Sequence, residues 1–440
     1  MHDLVKHPRE ALWSLAALAL AACSPTSNVE STPTPIPESS PSPVPTSLSL
    51  PAEALASPSA LAPTPTPTPL QPTAQPDSRP LTINYIQMID RTAGWAEGYH
   101  GTVGRTRILR TVDGGLTWRD VSPGSLESRG RSAFFLDALV AWAWSWESGA
   151  TWRTQNGGES WTPVQGADSR YDVWFNDSQH GWRARASGWG AGFLHIGMDY
   201  LAATQDGGET WQPTNPPPSE SYTFLAYPEA QTAWALRTGA THRDFEGFRY
   251  LEVPWWLEVT TDGGQTWLTR TVPMPLDARL GQETGPGIFY LDGVGLCDFV
   301  APVFNSASVW KLAVGCEHQG WMYTTTNQGM TWAISALPDG SLIRGAHFLS
   351  PSVGWILLWD QLGSPRSRLY LTTDGGETWT LLKHTEWASA QLNFVDAGIG
   401  WAVTSTCAEI SCDRLEASTA LVRTTDGGRT WEVLQPQIVP

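Results

Sequence analysis

Seven octapeptides of the form T-x-D-x-G-x-T-W recur along this chain. They read TVDGGLTW (Thr111 to Trp118), TQNGGESW (Thr154 to Trp161), TQDGGETW (Thr204 to Trp211) and TTDGGQTW (Thr260 to Trp267). TTNQGMTW (Thr325 to Trp332), TTDGGETW (Thr372 to Trp379) and TTDGGRTW (Thr424 to Trp431) complete the set. A motif at a regular period means one supersecondary unit stacked on copies of itself. A second signal precedes each octapeptide. Trp95, Trp142, Trp182, Trp234, Trp310, Trp355 and Trp401 sit on apolar, strand-like runs. Seven residues before each stands an apolar residue: Met88, Phe135, Phe175, Tyr227, Val303, Phe348 or Phe394. The unit is therefore strand A, a short turn, strand B with its Trp, strand C ending in Thr, the DGG turn, and strand D. Residues 81–440 hold seven such units of about 51 residues. This pattern predicts an all-β chain: a seven-bladed β-propeller of four-stranded antiparallel blades.

The turn chemistry accounts for the motif. A short Asp or Asn side chain accepts hydrogen bonds from backbone N–H groups further along the turn. Gly supplies the positive φ of a tight hairpin, and the Trp buries a large ring against the blade. The acceptor positions are Asp113, Asn156, Asp206, Asp262, Asn327, Asp374 and Asp426. Asn156 and Asn327 keep a turn acceptor but would abolish a catalytic or metal-binding carboxylate, so these positions read as structural. The octapeptides resemble the Asp-box, or BNR repeat, of sialidases, sortilin-type receptors, xyloglucan-cleaving hydrolases and photosystem II assembly factors. The repeat text as a whole, GWAVTS followed by LVRTTDGGRTW, is most similar to the photosystem II stability and assembly factor group. That resemblance implies a non-catalytic propeller near a membrane that holds protein partners. It covers residues 81–440 and speaks for fold more than for function. Members of the group dock through a basic patch. Here the domain carries −13, the total of −16 less −3 from the preceding linker, which puts a photosynthetic role in doubt.

The N-terminus reads as an address and a tether. Lys6 and Arg9 precede an apolar run, ALWSLAALALAA, too short to span a bilayer. The run ends in Leu20-Ala21-Ala22-Cys23, which resembles a bacterial lipobox with Cys23 as the acylated residue. Residues 1–23 are thus expected to be a lipoprotein signal peptide; an ordinary signal peptide containing a Cys is the alternative. Residues 24–80 carry 16 prolines and no aromatic residue. Such a segment buries too little apolar surface to offset its ordering entropy, and reads as an extended, disordered spacer. The expected location is the extracytoplasmic side of the cell membrane, held by lipid. With 27 basic against 43 acidic residues, the chain lacks the basic surface a nucleic-acid binder needs. No cofactor or metal is expected.

Loop lengths single out one face. The A–B and C–D turns lie on one side of a propeller, the B–C and D–A connections on the other. From the strand-B Trp to the acceptor residue the chain runs 14 positions in blade two, 24 in blade three, 28 in blade four and 25 in blade seven. From Trp267 to Trp310 it runs 43, against 21 to 24 elsewhere, an excess falling near residues 270–296. All of this extra length faces away from the octapeptide turns. Loops tolerate insertion and carry function, so this is the candidate binding face. Its aromatic residues are Trp189, Tyr200, Phe245, Phe248, Tyr250, Trp255 and Trp256, suited to stacking on a sugar or anchoring a protein. They could instead form a small satellite core, and VPWWLEV also reads as strand C.

Four cysteines remain beside Cys23. Cys297 and Cys316 have the same index sum as Val303 and Trp310, which would place both pairs directly opposite in one hairpin and make a disulfide reasonable. Cys407 and Cys412 could staple the blade-seven loop; unlinked thiols are the alternative. No sialidase signature stands: Arg107-Ile108-Leu109 lacks the proline of that family's Arg-Ile-Pro motif. The insertions carry Asp199, Asp244, Glu246, Glu252, Asp277 and Glu283. A glycoside hydrolase needs two carboxylates about 5 to 9.5 Å apart, which spacing along a chain does not establish. The reading is a binding or assembly scaffold without catalytic residues, with a carbohydrate-active hydrolase as the alternative. Ring closure is expected from packing of blade one on blade seven, or from a strand in 81–84 or 436–440.

Overall fold

The computed structural model describes residues 81–439, except 101–104, 125, 127, 129–130, 146, 165–171, 188–196, 217–223, 238–240, 244–248, 253–254, 274–279, 286–287, 292–294, 307, 317–318, 339–341, 361–365 and 407–418. Blade one comprises β1 (Leu81–Met88), β2 (Gly94–His100), β3 (Arg107–Thr111) and β4 (Thr117–Asp120). Blade two has β5 (Ala133–Phe135), β6 (Ala141–Trp144), β7 (Thr151–Thr154) and β8 (Thr162–Pro163). Blade three has β9 (Asp172–Phe175), β10 (Gly181–Ser187), β11 (Gly197–Thr204) and β12 (Gln212–Thr214). In blade four, β13 (Phe224–Glu229) and β14 (Thr232–Arg237) are followed by an inserted hairpin, β15 (Thr241–Arg243) and β16 (Arg249–Glu252). The blade resumes with β17 (Trp255–Thr260) and β18 (Leu268–Val272). A second inserted hairpin, β19 (Leu280–Gly285) and β20 (Ile288–Leu291), leads into blade five: β21 (Gly295–Asn305), β22 (Trp310–Cys316), β23 (Trp321–Thr325) and β24 (Ala333–Ala336). Blade six has β25 (Ile343–Phe348), β26 (Gly354–Trp359), β27 (Ser367–Thr372) and β28 (Thr380–Thr385). Blade seven has β29 (Ser389–Phe394), β30 (Gly400–Ser405), β31 (Thr419–Thr424) and β32 (Glu432–Val433), and β33 (Gln437–Val439) ends the chain. The protein is an all-β, seven-bladed propeller of antiparallel blades.

Residue pattern matches position in the blade. On β29, SAQLNF, alternate residues Ala390, Leu392 and Phe394 are buried, as a strand with one covered face requires. On β26, GWILLW, every residue is buried, because a second strand is covered by blades on both sides. The first strands of neighbouring blades run beside one another, β1 with β29 and β21 with β25, so they line the centre of the ring.

One device joins most blades. The strand-B indole N–H donates to a carbonyl of the next blade: Trp95 to Asp137 (2.7 Å), Trp142 to Gly207 (2.9 Å), Trp182 to Glu229 (3.2 Å), Trp355 to Gly427 (2.9 Å). Its ring lies flat on the ring at the end of the next blade's first strand, as in Trp142 on Phe175 (3.5 Å) and Trp355 on Phe394 (3.6 Å).

The ring closes through the same device and one more. Trp401 of blade seven donates to Gly114 of blade one (2.9 Å). Gln391 and Asn393 on β29 hydrogen-bond the backbone of Ile86 and Met88 on β1, and Arg91 pairs with Asp396 (2.8 Å). In addition, β33 runs parallel to β4, with Ile438 opposite Trp118, on the outer edge of blade one. The last blade's own fourth strand ends at Val433, and the segment past Pro436 is the closing strand. Of the closures expected above, both the packing and a strand within 436–440 operate.

Blade five departs from the pattern. In six blades a small residue faces the octapeptide's first Thr and the Trp follows it: Gly94 with Thr111, Ala141 with Thr154, Gly400 with Thr424. In blade five Trp310 itself faces Thr325, so Lys311 fills the Trp position. The partner of Trp310 across the hairpin is Asn305, not Val303, because the register slips between Val300 and Phe304 and the turn is a residue shorter. At Gly400 an added Cβ would come within 2.5 Å of the Phe394 ring, so a large first-strand residue demands a small partner. With Asn305 on the first strand, the ring is supplied by Trp310, which stacks on Trp234 of blade four (5.1 Å). Lys311 then reaches forward, its Nζ donating to the Gly375 carbonyl of blade six (2.7 Å) as an indole does elsewhere.

Candidate binding face

The octapeptides turn their Thr, Asp and Asn side chains onto groups of the same turn. Thr111 Oγ1 donates to Asp113 Oδ1 (2.9 Å) and accepts from Gly115 N (3.0 Å). Asp113 Oδ1 accepts from the Leu116 and Thr117 amides, and Oδ2 from the Thr117 hydroxyl (2.6 Å). Where Asn stands, Oδ1 still accepts and Nδ2 donates to the hydroxyl instead, Asn156 to Ser160 (2.9 Å) and Asn327 to Thr331 (2.8 Å). Burial pushes the Asp262 carboxyl up, but the Thr266 hydroxyl and amide and the Thr260 hydroxyl outweigh it and hold the group at about 2. At Asp426 the Thr430 hydroxyl and amide dominate and again hold it at about 2.

The same turns pin the A–B turns beside them. Gly114 N donates to Thr92 O (2.8 Å), Gly207 N to Gln179 O (2.8 Å) and Gly427 N to Gly398 O (2.8 Å). Both turn types therefore share one side of the ring. A set of acceptors that the octapeptide does not reveal caps the A–B turns. Asp90, Asp137, Asp177 and Asp396 each accept amide hydrogens two and three residues on, and Ser350 and Ser306 accept the amide three residues on. Each stands five residues before the strand-B position, and for Ser306 that position is Lys311. This spacing was the signal in the sequence for the shifted register of blade five.

Chain direction puts the B–C and D–A connections on the other side, where the two insertions meet. Their described residues include four strands, β15, β16, β19 and β20. β15 pairs with β16, β16 with β19, β19 with β20, and β20 with β21, so the insertions extend the sheet of blade five from its innermost strand. In register, His242, Tyr250, Gln282, Tyr290 and Leu296 form one cross-strand row; Arg243, Arg249, Glu283, Phe289, Cys297 and Cys316 form another. Two insertions far apart in sequence thus build one arm on the face opposite the octapeptide turns.

The aromatic residues expected on that face separate into groups. Tyr250 lies on the arm. Trp255 is a correction: it is 1% exposed on β17 and packs with Leu257, Val272 and Tyr323, so it belongs to the core between blades four and five. From Trp255 onward the run is strand C, and strand C faces the next blade. Trp256, half-buried, sits opposite Arg237 and Thr271. Tyr200 on β11 accepts a hydrogen bond from Arg183 (2.8 Å), whose guanidinium lies between the Tyr200 ring and Trp211 (4.8 Å from the latter). Trp189, Phe245, Phe248, Cys23, Cys407 and Cys412 lie outside the described residues. Cys297 and Cys316 are directly opposite across β21 and β22. Among the carboxylates, Glu252 is on β16 and Glu283 on β19, opposite Leu280 and Arg249. Among the described residues, no group of three or more His, Cys, Asp or Glu could hold a metal.

Two further features escaped sequence reading. A cleft of about 390 Å³ lies between blades one and two, lined by Arg119, Asp120, Trp152, Glu159, Ser160 and Trp161. The Trp161 indole donates to the Val121 carbonyl at its base (2.6 Å). Glu97, fully buried on β2, accepts from Ser132 N with one oxygen while the other has no partner. Burial pushes its carboxyl up, against the pull of Arg131.

Comparison with known proteins agrees with this architecture. The BNR/Asp-box repeat family matches residues 370–381, the sixth octapeptide. No curated protein matches the sequence. Similar solved structures include YCF48 bound to D1 peptide (15% identity, 74% of this chain and 90% of that one, TM-score 0.47). YCF48 from Cyanidioschyzon merolae is another (15%, 81% and 98%, TM-score 0.44). A puromycin-hydrolyzing peptidase of Mycobacterium tuberculosis is a third (12%, 82% and 54%, TM-score 0.50). At 12% identity the likeness to the peptidase speaks for the fold alone, and a fold does not fix a function. The chain is a seven-bladed β-propeller with seven T-x-D-x-G-x-T-W turns or close variants, the sixth of which matches the BNR/Asp-box repeat.

Proposed function

We propose that this protein is a non-catalytic scaffold, lipid-anchored through Cys23 on the outer side of a cell membrane, that binds a protein or glycan on its arm-bearing face. The observation that carries the reading is the arm itself. Two insertions separated by a complete strand C and strand D combine into one sheet continuous with blade five. A rigid ring holding an ordered extension presents residues at fixed positions, which lowers the entropy cost of binding. The octapeptide turns, in contrast, engage their Asp carboxylates with their own amides and hydroxyls. The lipobox-like Leu20-Ala21-Ala22-Cys23 and the proline-rich segment behind it support display away from a membrane surface.

The test compares the full chain with a variant in which residues 238–254 and 273–294 are replaced by short Gly-Ser turns. Both are applied to a glycan array and to solubilised envelope proteins. Loss of binding with the ring's circular dichroism unchanged is expected. Equal binding by both chains would refute the assignment of the face. Turnover of a glycan, abolished by one carboxylate replacement, would refute the non-catalytic reading. For the anchor, a Cys23→Ala chain is expected to leave the membrane fraction; retention there would refute lipidation at that residue.

A further inference from the structure

We propose that Cys297 and Cys316 form a disulfide that fastens the root of the arm to blade five. The two residues are Cα partners in the antiparallel pair β21–β22. Directly opposite residues in such a pair lie about 4.5 or 5.5 Å apart, and both spacings fall within the roughly 4.4 to 6.8 Å that a disulfide spans. The position is a junction. Cys297 faces Cys316 on one side and Phe289 of the arm on the other, so three strands meet at this register.

Backbone pairing alone holds this junction weakly. The register of β21 on β22 slips between Val300 and Phe304, which interrupts the ladder between the blade and the arm. Beyond the slip only Cys297, Asp298, Phe299 and Val300 pair with β22 before it ends at Cys316. The neighbouring seam is also irregular: the buried indole N–H groups of Trp234 and Trp310 have no acceptor. A covalent link across the last register position restores what the slip removes, and it closes the segment that holds the slip and the A–B turn.

The chemistry is thiol–disulfide exchange. Two thiols give up two protons and two electrons to the disulfide of an oxidised dithiol or glutathione carrier, which is reduced to two thiols as the S–S bond forms. In the cell this rests on the export reading above, since such links persist in oxidising compartments. In the test it does not.

The full chain is folded in a buffer of oxidised and reduced glutathione, denatured without reductant, alkylated with N-ethylmaleimide and digested for mass spectrometry. A peptide pair joining Cys297 to Cys316 is expected, lighter by two hydrogens than the reduced peptides and lost on reduction. Recovery of both residues as alkylated thiols, or a link from either to Cys407 or Cys412, would overturn the proposal. A second readout concerns the role. In Cys297→Ser and Cys316→Ser chains, protease cleavage within residues 241–291 should accelerate severalfold while cleavage elsewhere in the ring is unchanged. Equal cleavage in linked and unlinked chains would overturn the fastening role. Neither result depends on where the protein resides, so failure here is distinct from failure of the anchor.

Discussion

Trp401 and Trp234 form a matched pair for measuring what the blade-joining hydrogen bond contributes. Both occupy the strand-B position of their blades, and both are 0% exposed. Trp401 Nε1 donates to the Gly114 carbonyl at 2.9 Å, whereas Trp234 Nε1 has no acceptor. Replacing either by Phe trims the same ring atoms from a buried site, so the cavity and transfer costs are similar and largely cancel in the comparison. What differs is polar. Trp401→Phe removes a hydrogen bond worth about 1 kcal/mol net and leaves a buried carbonyl unpaired, an added cost of about 1 to 3 kcal/mol. Trp234→Phe removes a buried, unsatisfied N–H and so relieves a penalty of similar kind. The closing-seam variant is therefore expected to be the less stable of the two by about 2 to 4 kcal/mol, and by more as far as losing the Trp234 N–H stabilises its chain. Urea unfolding followed by far-ultraviolet circular dichroism measures both. A Trp234→Phe chain as destabilised as Trp401→Phe, or more so, would refute the account of how the blades are joined.

Acid should weaken the turns. The Asp262 and Asp426 carboxyls are held at about 2, below the ordinary value of 3.8. A depressed carboxyl adds stability above its unfolded value and loses it as pH falls towards the folded one. Stability should therefore drop between about pH 4 and pH 2, and Asp262→Asn should flatten that drop in urea titrations at stepped pH; an unchanged slope would count against the hydrogen-bond account. Gly158 has φ of 86°, and an added Cβ would sit 2.6 Å from Val121 Cβ. Gly158→Ala should cost about 1 to 3 kcal/mol from backbone strain alone, before the clash is added; calorimetry showing no loss would refute it. Removing residues 436–440 deletes β33 but leaves the Trp401, Gln391 and Asn393 contacts across the closing seam. The ring should still form with a lowered midpoint, and complete unfolding of the truncated chain would show that the terminal strand, not those contacts, closes it.

Much of the fold was legible because the octapeptide is local. Thr, Asp or Asn, and Gly act on amides within four residues, so the hairpin follows from composition and spacing. The number of blades and the side on which the extra length falls follow from counting. Blade five was misaligned because Trp310 has the right residue type in the wrong position; the Ser306 spacing, less conspicuous than a Trp, carried the true register. Trp255 looked like a rim residue because VPWWLEV sits beside an insertion, and nothing in the run says which strand face meets the next blade. The insertions read as loops, since β16 pairs with β19 only across the intervening strands.

By itself the sequence determined an all-β ring of seven repeating hairpin units, the chemistry of each corner, and the opposite face as the place for variation. Those properties rest on interactions a few residues long. Only the tertiary structure decided that β33 seals blade one, that Trp310 and Lys311 exchange roles, and that two distant insertions make a single arm with Cys297 facing Cys316 at its root. Each of these depends on which surfaces meet when the ring closes. Contacts between distant segments are selected by fit and burial across the whole ring, and a local pattern does not encode them.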